Sequence, residues 1–503
     1  MSKLTAELTA ELTAELMATC AARALYLSTV ALAVLAALQL GGCASQGSLP
    51  TPLALVAPAQ AGLSADVASP FPDAQWWRQL GDPTLNTLVD QALAGQPSLA
   101  AAAARLARAG AVANVTRSGQ GPQVGLGVDL TRQRYTENGL YPPPIAGSVR
   151  DIGNVQATGS IELDFFGRHD AALQAALGQQ QALRAELQAA RVVLAGNVAR
   201  SYVGLARLVG LRAVAERTLA QRATLLGLTQ QRVSAGLDTQ VELRQVEGGL
   251  PEARQQIESL NGQIALARHQ LASLSGQAPH ALDGLTPALA PLQAEAPPAQ
   301  LGADLLGRRA DVVAARWRVE AALLDVKVAR TQFYPDINLV GFVGLNAIGL
   351  DRLLSLDSRN LGVGPALRLP LFDGGRLRAN LQGRAADADA AVAAYNGAVL
   401  DAAREAADAS ATLISLARQQ AEQRLGGAAA ESAHDLAQQR YRAGLANFST
   451  VLSAETSVLA QRAAAVDLKA RALDAQVALM RALGGGWRDT PDQSTASVAA
   501  AAR

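Results

Sequence analysis

Aromatic side chains are scarce in this chain. Phe, Trp and Tyr together supply 4% of the 503 residues, although 50% count as hydrophobic. Much of that half is alanine, too small to fill a large globular core at native density. Alanine instead suits closely approaching helices, because it has the highest helix propensity. Net charge is lacking too: 44 basic against 43 acidic residues leave +1. A near-neutral chain has no electrostatic footprint for nucleic acid, and that partner class is excluded. There are 2 cysteines and both lie near the N-terminus, so stability must come from packing and assembly. Catalytic patterns are missing as well. The histidines His169, His269, His280 and His434 show no metal-ligand spacing in sequence. His434-Asp435 reads as a solvated helix face. Gly484-Gly485-Gly486 lacks the Lys-Ser/Thr of a phosphate loop and reads as a helix terminator. No Gly-x-Ser-x-Gly elbow occurs. No enzyme, cofactor or metal is expected.

The N-terminal region carries a targeting pattern. Arg23 precedes an apolar stretch from Leu25 to Leu38, and Gly41-Gly42 lead into Cys43. The stretch is short for a membrane span of about 20 residues. It resembles the bacterial lipobox, whose cysteine becomes the first mature residue and carries lipid. By resemblance to lipoprotein sorting, Ala44 directs the product to the outer membrane. Residues 1–42 are then a signal peptide, and the Leu-Thr-Ala-Glu repeat before Met17 makes Met17 the expected start. Residues 43–72, rich in Pro, Ala and Ser, are expected to form an extended tether, and 488–503 a disordered tail.

The remainder is written twice. Gly167-Arg168 recurs as Gly375-Arg376, Gly236 as Gly444, Glu247 as Glu455 and Gly276 as Gly484, each pair 208 positions apart (376 − 168 = 208). Arg232-Val233-Ser234-Ala235-Gly236-Leu237 returns as Arg440-Tyr441-Arg442-Ala443-Gly444-Leu445. The pattern is a tandem duplication: residues 73–282 and 283–487 each hold a helix, a strand pair (124–165 and 337–371) and a long helical hairpin. Apolar residues alternate in Val124, Leu126, Val128 and Leu130, and less cleanly in the other strands. Strand lengths approach the roughly 9–11 residues of a tilted outer-membrane strand. Polar loops 135–154 and 345–362 join the strands. A soluble β-hairpin would show the same alternation.

Proline is absent from Ile145 to Leu250 and from Leu371 to Thr490. Leu194, Val198, Tyr202, Leu205 and Leu208 step by three and four along one helical face. A helix from Arg168 to about Gln231 would be roughly 95 Å long. The Ala-Gly-Leu turns near 236 and 444 would reverse each hairpin, with glycine in a left-handed conformation. Gly167 and Gly375 mark the strand-to-helix junctions. Four strands cannot close a membrane barrel, and an open edge cannot sit in lipid. Several chains must therefore pool their strands, with dimers or larger rings both allowed by sequence.

The chain resembles the TolC-like outer-membrane factors, in their NodT-like lipoprotein branch. The resemblance rests on Trp76-Trp77, Asp82-Pro83, Arg308-Arg309-Ala310-Asp311-Val312, Phe333-Tyr334-Pro335, the run Leu369 to Arg376, and Ala482 to Trp487. It implies a homotrimer, with a 12-stranded outer-membrane β-barrel continued by a periplasmic α-helical barrel. It also implies a passive efflux duct that docks on a periplasmic adaptor and an inner-membrane exporter. The run Ala314 to Glu320 looks most like factors serving fusaric-acid-type or major-facilitator exporters. Ala310 departs from the family's usual proline.

The resemblance also places the turns around Gly236 and Gly444 at the periplasmic aperture. Tyr441 matches a tyrosine of the family's closing links, while the family's arginine falls on Ala446. The link is expected to run through Arg440 or Arg442 instead. Glu242 falls on an acidic position near the mouth, with Asp238 close by. Three-fold symmetry would make rings of like charge, which raise their own pKa values and bind cations. Both acids equally fit helix starts favoured by the dipole. A lipid-anchored adaptor or coiled-coil scaffold is the rival expectation.

Overall fold

The computed structural model describes residues 47–62, 72–293 and 307–487. Cys43, the expected signal peptide and the expected 488–503 tail lie outside them. The chain divides into two units, one around Gly119–Ala171 and Asp325–Ala386, the other around Pro52–Ser118, Ala172–Leu324 and Asp387–Arg503.

The described elements run α1 (Pro83–Gly95), α2 (Pro97–Ser118), β1 (Gln123–Arg134), β2 (Val149–Leu163), α3 (Arg168–Ser234), α4 (Gln240–Leu274), α5 (Ala310–Thr331), β3 (Asp336–Ile348), β4 (Arg359–Arg368), α6 (Arg376–Arg442) and α7 (Phe448–Ala482). The long helices match in pairs: α3 and α6 have 67 residues each, α4 and α7 have 35, and α2 and α5 have 22. At 1.5 Å per residue α3 is about 100 Å long.

The helix ends are specified locally. Asp82 caps α1, accepting from the Thr84 and Leu85 amides, and Pro83 occupies the first turn where its missing N–H costs nothing. Ala310 opens α5 at the same kind of position, so the absent family proline removes no needed geometry. After α7, Gly484, Gly485 and Gly486 all have positive φ. A Cβ on Gly484 would lie 2.3 Å from the Arg308 carbonyl, and one on Gly486 would lie 2.1 Å from that of Asp73. The three glycines end the helix and admit close backbone approach, as a terminator should. The proline-free stretch ends at Leu250, yet α4 continues through Pro251. Buried Val246 and Ala253 hold the helix on either side of it.

The helical unit's main core gathers Trp76, Trp77, Leu85, Leu194, Val198, Tyr202, Leu205, Ile264, Leu271, Leu473 and Val477. Tyr202 donates to Asp82 Oδ2 at 2.5 Å, and burial together with this carboxylate pushes its phenol well above the ordinary range. One described helix, α3, has a stretch apolar enough to cross a membrane, but half of that stretch is buried within the protein. The expected extended tether is in part a docked strap. Asn396 accepts from the Val56 amide at 2.9 Å and donates to the Ala54 carbonyl at 2.9 Å, while Val56 packs against the Val312–Val399 cluster.

The sheet is antiparallel throughout, in the order β1-β2-β3-β4. Its register places Val124, Leu126, Val128 and Leu130 of β1 beside Gly159, Ala157, Val155 and Gly153 of β2. The same face continues through Ile337, Leu339, Gly341, Val343 and Leu345 of β3 to Leu367, Pro365, Val363 and Leu361 of β4. The band is apolar except at the start of β4, where Arg359 pairs with Leu345. Val124 is 77% exposed and Val363 79%. The opposite face carries Asp129, Gln156, Thr158, Ser160, Glu162, Asn338 and Asn360, with Ile152, Val340, Phe342, Ile348 and Ala366 among its apolar residues. Along β2 the band runs from Gly153 to Leu163, about 33 Å of strand. At the tilt typical of membrane barrels this projects to about 25 Å, the height of an outer-membrane apolar girdle. The strands are longer and the loops shorter than expected from sequence. Segments 149–154, 345–348 and 359–362 pair in the ladder although expected in loops, because pairing there uses backbone groups and needs no apolar face. Strands β2 and β4 end at Leu163 and Arg368, short of the expected 165 and 371.

Candidate functional site at the helix turns

The turns after α3 and α6 are built identically. Leu237 N–H donates to the Arg232 carbonyl and Gly236 N–H to that of Val233; Leu445 and Gly444 do the same to Arg440 and Tyr441. These are Schellman closures, with Gly236 at φ +71° and Gly444 at φ +74°. Each turn hands over to a capped helix. Thr239 and Glu242 form a capping box at the start of α4, and Asn447 accepts from the Thr450 amide at the start of α7. Glu242 therefore takes the helix-start role. Its hydrogen bonds with Thr239 hold its carboxyl below the usual glutamate value.

Asp238 does something different. Arg232, on the last turn of α3, donates from Nε to Asp238 Oδ2 at 2.9 Å and from Nη2 to Oδ1 at 3.1 Å. A third donation runs from Arg232 Nη1 to the Tyr441 carbonyl at 2.9 Å, and the guanidinium carbon sits 4.5 Å from the Tyr441 ring centroid. Tyr441 is fully buried and donates its hydroxyl to Asp238 Oδ2, with Thr229 Oγ1 also 3.3 Å from that hydroxyl. Phe448, Val451, Leu225 and Val246 pack around the group. Side-chain exposure is 11% for Arg232 and 10% for Asp238, so the pair is shielded from solvent.

The cluster joins the first hairpin, through Thr229, Arg232 and Asp238, to the second, through Tyr441. Within the chain the arginine that reaches Tyr441 is Arg232, not Arg440 or Arg442. Both are exposed, and their side chains join no ion pair among the described residues. Tyr441 faces inward at the end of α6, and only an arginine on the neighbouring helix reaches both its ring and its carbonyl. The like-charge ring expected of three-fold symmetry belongs to an assembly; within the single chain Asp238 is a paired acid rather than a raised one. The hydrogen bonds from Arg232 hold its carboxyl below the usual aspartate value, outweighing the opposing effect of burial. Burial and the Asp238 carboxylate push the Tyr441 phenol upward.

At the strand-to-helix junctions Gly167 has φ +73° and Gly375 φ +90°. Two aspartates complete them, Asp373 of the run Leu369 to Arg376 and Asp164, which was unmarked in sequence. Asp164 accepts from the Arg168 and Asp170 amides, and Asp373 from those of Gly375 and Leu377. Arg309 of the Arg308–Val312 motif is also buried. It binds Asp311, Glu405 at 3.0 Å and the Ala482 carbonyl at 3.3 Å, tying α5 to α6 and α7.

Two readings of the histidines are corrected. His434 is not on a solvated face: it is 3% exposed, because its side of α6 turns into the hairpin. Nor are the four histidines all scattered. The reversal after α4 brings His280 to within 5.1 Å of His269, ring to ring, with Asp283 beside them.

A four-stranded sheet with one largely apolar face and two unpaired edges, in a chain that also forms helical hairpins linked at their turns, fits an outer-membrane channel protein. The chain belongs to the Outer membrane efflux protein family, which it matches over residues 88–277 and 301–485. It is 32% identical over 464 residues to the multidrug resistance outer membrane protein MdtQ of Escherichia coli O157:H7, across 90% of this chain and 96% of that protein. It is 38% identical over 364 residues to the fusaric acid resistance protein FusA of Burkholderia cepacia, across 70% of this chain and 68% of that one. Among solved structures it is similar to the outer membrane protein VceC of Vibrio cholerae, with a TM-score of 0.78 and 34% identity, covering 83% of this chain and all (100%) of that one.

Proposed function

We propose that this outer-membrane efflux protein is the passive exit duct of a tripartite system, formed by three copies of the chain. The observation that carries the reading is the sheet. Its apolar face demands lipid, while the free outer edges of β1 and β4 cannot remain unpaired there. Closed membrane barrels need eight or more strands. Three copies supply twelve, joining β4 of one chain to β1 of the next. The matched 67-residue and 35-residue helices support an origin by duplication of one half.

Cys43 is the lipid attachment point, and the strap from Leu53 to Val56 receives the chain that follows it. The turns around Gly236 and Gly444 form the aperture that meets a periplasmic adaptor. The Arg232–Asp238–Tyr441 cluster holds them together at rest. The cargo is small toxic organic compounds, aromatic acids among them, and an inner-membrane exporter supplies both energy and selection. A lipid-anchored adaptor or scaffold would have no use for an apolar sheet face.

Reconstitution into planar lipid bilayers tests the duct. The detergent-purified protein should give discrete ion-conducting steps of low open probability, and Arg232→Ala should raise that probability. A preparation that inserts but never conducts, with or without the substitution, would exclude a channel.

A further inference from the structure

We propose that His269, His280 and Asp283 form a binding site for a borderline divalent transition-metal ion of the zinc, nickel or copper(II) class. Their donor atoms all lie within 4.8 Å of one another. His280 Nδ1 and Asp283 Oδ2 are 3.2 Å apart. A tetrahedral ion with bonds of about 2.0–2.1 Å places neighbouring ligand atoms about 3.4 Å apart. The His269 ring stands nearly perpendicular to that of His280, at 85°, with centroids 5.1 Å apart. A side-chain adjustment of about an ångström completes the set, within reach of rotamer motion in partly exposed residues.

The backbone that presents these ligands is already fixed. His269 sits near the C-terminal end of α4, while His280 and Asp283 belong to the short helical turn Pro279–Leu282 and its cap. Gly276, at φ +72°, makes the reversal between them. Arg268 Nε donates to the Leu285 carbonyl at 2.9 Å, drawing the returning segment onto α4. Leu282 and Leu285 pack on the core that contains Leu271. The three ligands thus come from two backbone segments held by packing, which lowers the cost of gathering them around an ion.

Ligand chemistry narrows the class. Two imidazoles and one carboxylate suit zinc, nickel and copper, whereas magnesium and calcium take oxygen ligands. A surface ion pair would explain His280 and Asp283, which are three residues apart. It does not explain the second imidazole delivered from α4. His280 and Asp283 are exposed, leaving coordination positions open to water or a small ligand.

The site stands independently of the export reading. Its test uses the full chain in detergent, purified without a polyhistidine tag, stripped with chelator and titrated calorimetrically with zinc. One ion per chain is expected to bind with micromolar affinity. His269→Gln and His280→Gln should each weaken binding by about tenfold or more, while Asp435→Asn leaves it unchanged. Cobalt(II) should show the visible bands of a nitrogen- and oxygen-ligated ion, lost in the double variant. Heat-unfolding midpoints will show that these surface variants are folded. Equal zinc binding by the wild type and the His269→Gln/His280→Gln double variant, or none by either, would overturn the site.

Discussion

Ala157 and Thr158 are neighbours in β2, yet their side chains must lie on opposite faces of the sheet. Ala157 pairs with Leu126 and Val343 inside the apolar band; Thr158 pairs with Gly125 and Phe342 on the other face. An arginine at position 157 would enter lipid near the middle of the band. The cost there is about 2–4 kcal/mol per chain, or about 6–12 kcal/mol for three symmetry-related copies. An arginine at position 158 would point into the lumen of the proposed barrel, where water receives it. The two variants each add one arginine at adjacent positions, differing by one step of a two-residue period. Folding into lipid vesicles, followed by urea titration and by resistance of the assembly to dissociation in detergent, reads the difference. Ala157→Arg should lose assembly, and Thr158→Arg should keep it. Equal behaviour of the two would refute the assignment of the apolar face to lipid.

The same approach applies to the helix turns and to the motif that ties the helices together. Arg232→Ala removes one partner of a shielded pair, a change that costs about 3–5 kcal/mol in comparable buried pairs. It should raise uptake of bulky antibiotics in cells carrying the channel, whereas Arg442→Ala should leave uptake at the wild-type level. The carboxyl of Asp238 is held below its ordinary value, so its contribution is fully present above about pH 4 and is lost as pH falls through the lower folded value. Bilayer conductance should therefore stay low from about pH 7 to pH 5 and rise only below about pH 4; opening near neutrality would contradict this. Arg309→Met leaves the Asp311 and Glu405 carboxylates without their partner. Denaturant titration should show a loss of about 3 kcal/mol or more, which Arg309→Lys recovers only in part because a single ammonium lacks the planar fork.

Much of this architecture was legible in sequence because its signals are periodic. The Ala-Gly-Leu landmarks at 236 and 444 fell on the observed turns, and the stepping of Leu194, Val198 and Tyr202 gave the buried face of α3. The strand ends were less legible. Alternation marks a strand only while one face is apolar, and residues 149–154 pair through the backbone after that contrast has gone. The site divided in the same way. Tyr441 could be singled out from its family resemblance, but Arg232 could not be assigned to it. Their meeting depends on how two helices distant in sequence are placed, as does the approach of His269 to His280. Arg232 was visible only as the repeat partner of Arg440. The two took different roles because Asp238, the carboxylate that Arg232 binds, recurs as Ala446, and because Tyr441 stands where the first copy has Val233.

Electron microscopy of the detergent-purified protein tests the shared barrel most directly. The expected image is a hollow ring of three chains, with twelve strands inside the detergent belt and β4 of each chain paired to β1 of the next. A monomer whose sheet edges remain unpaired, or an assembly without a detergent belt around the strands, would contradict the shared barrel.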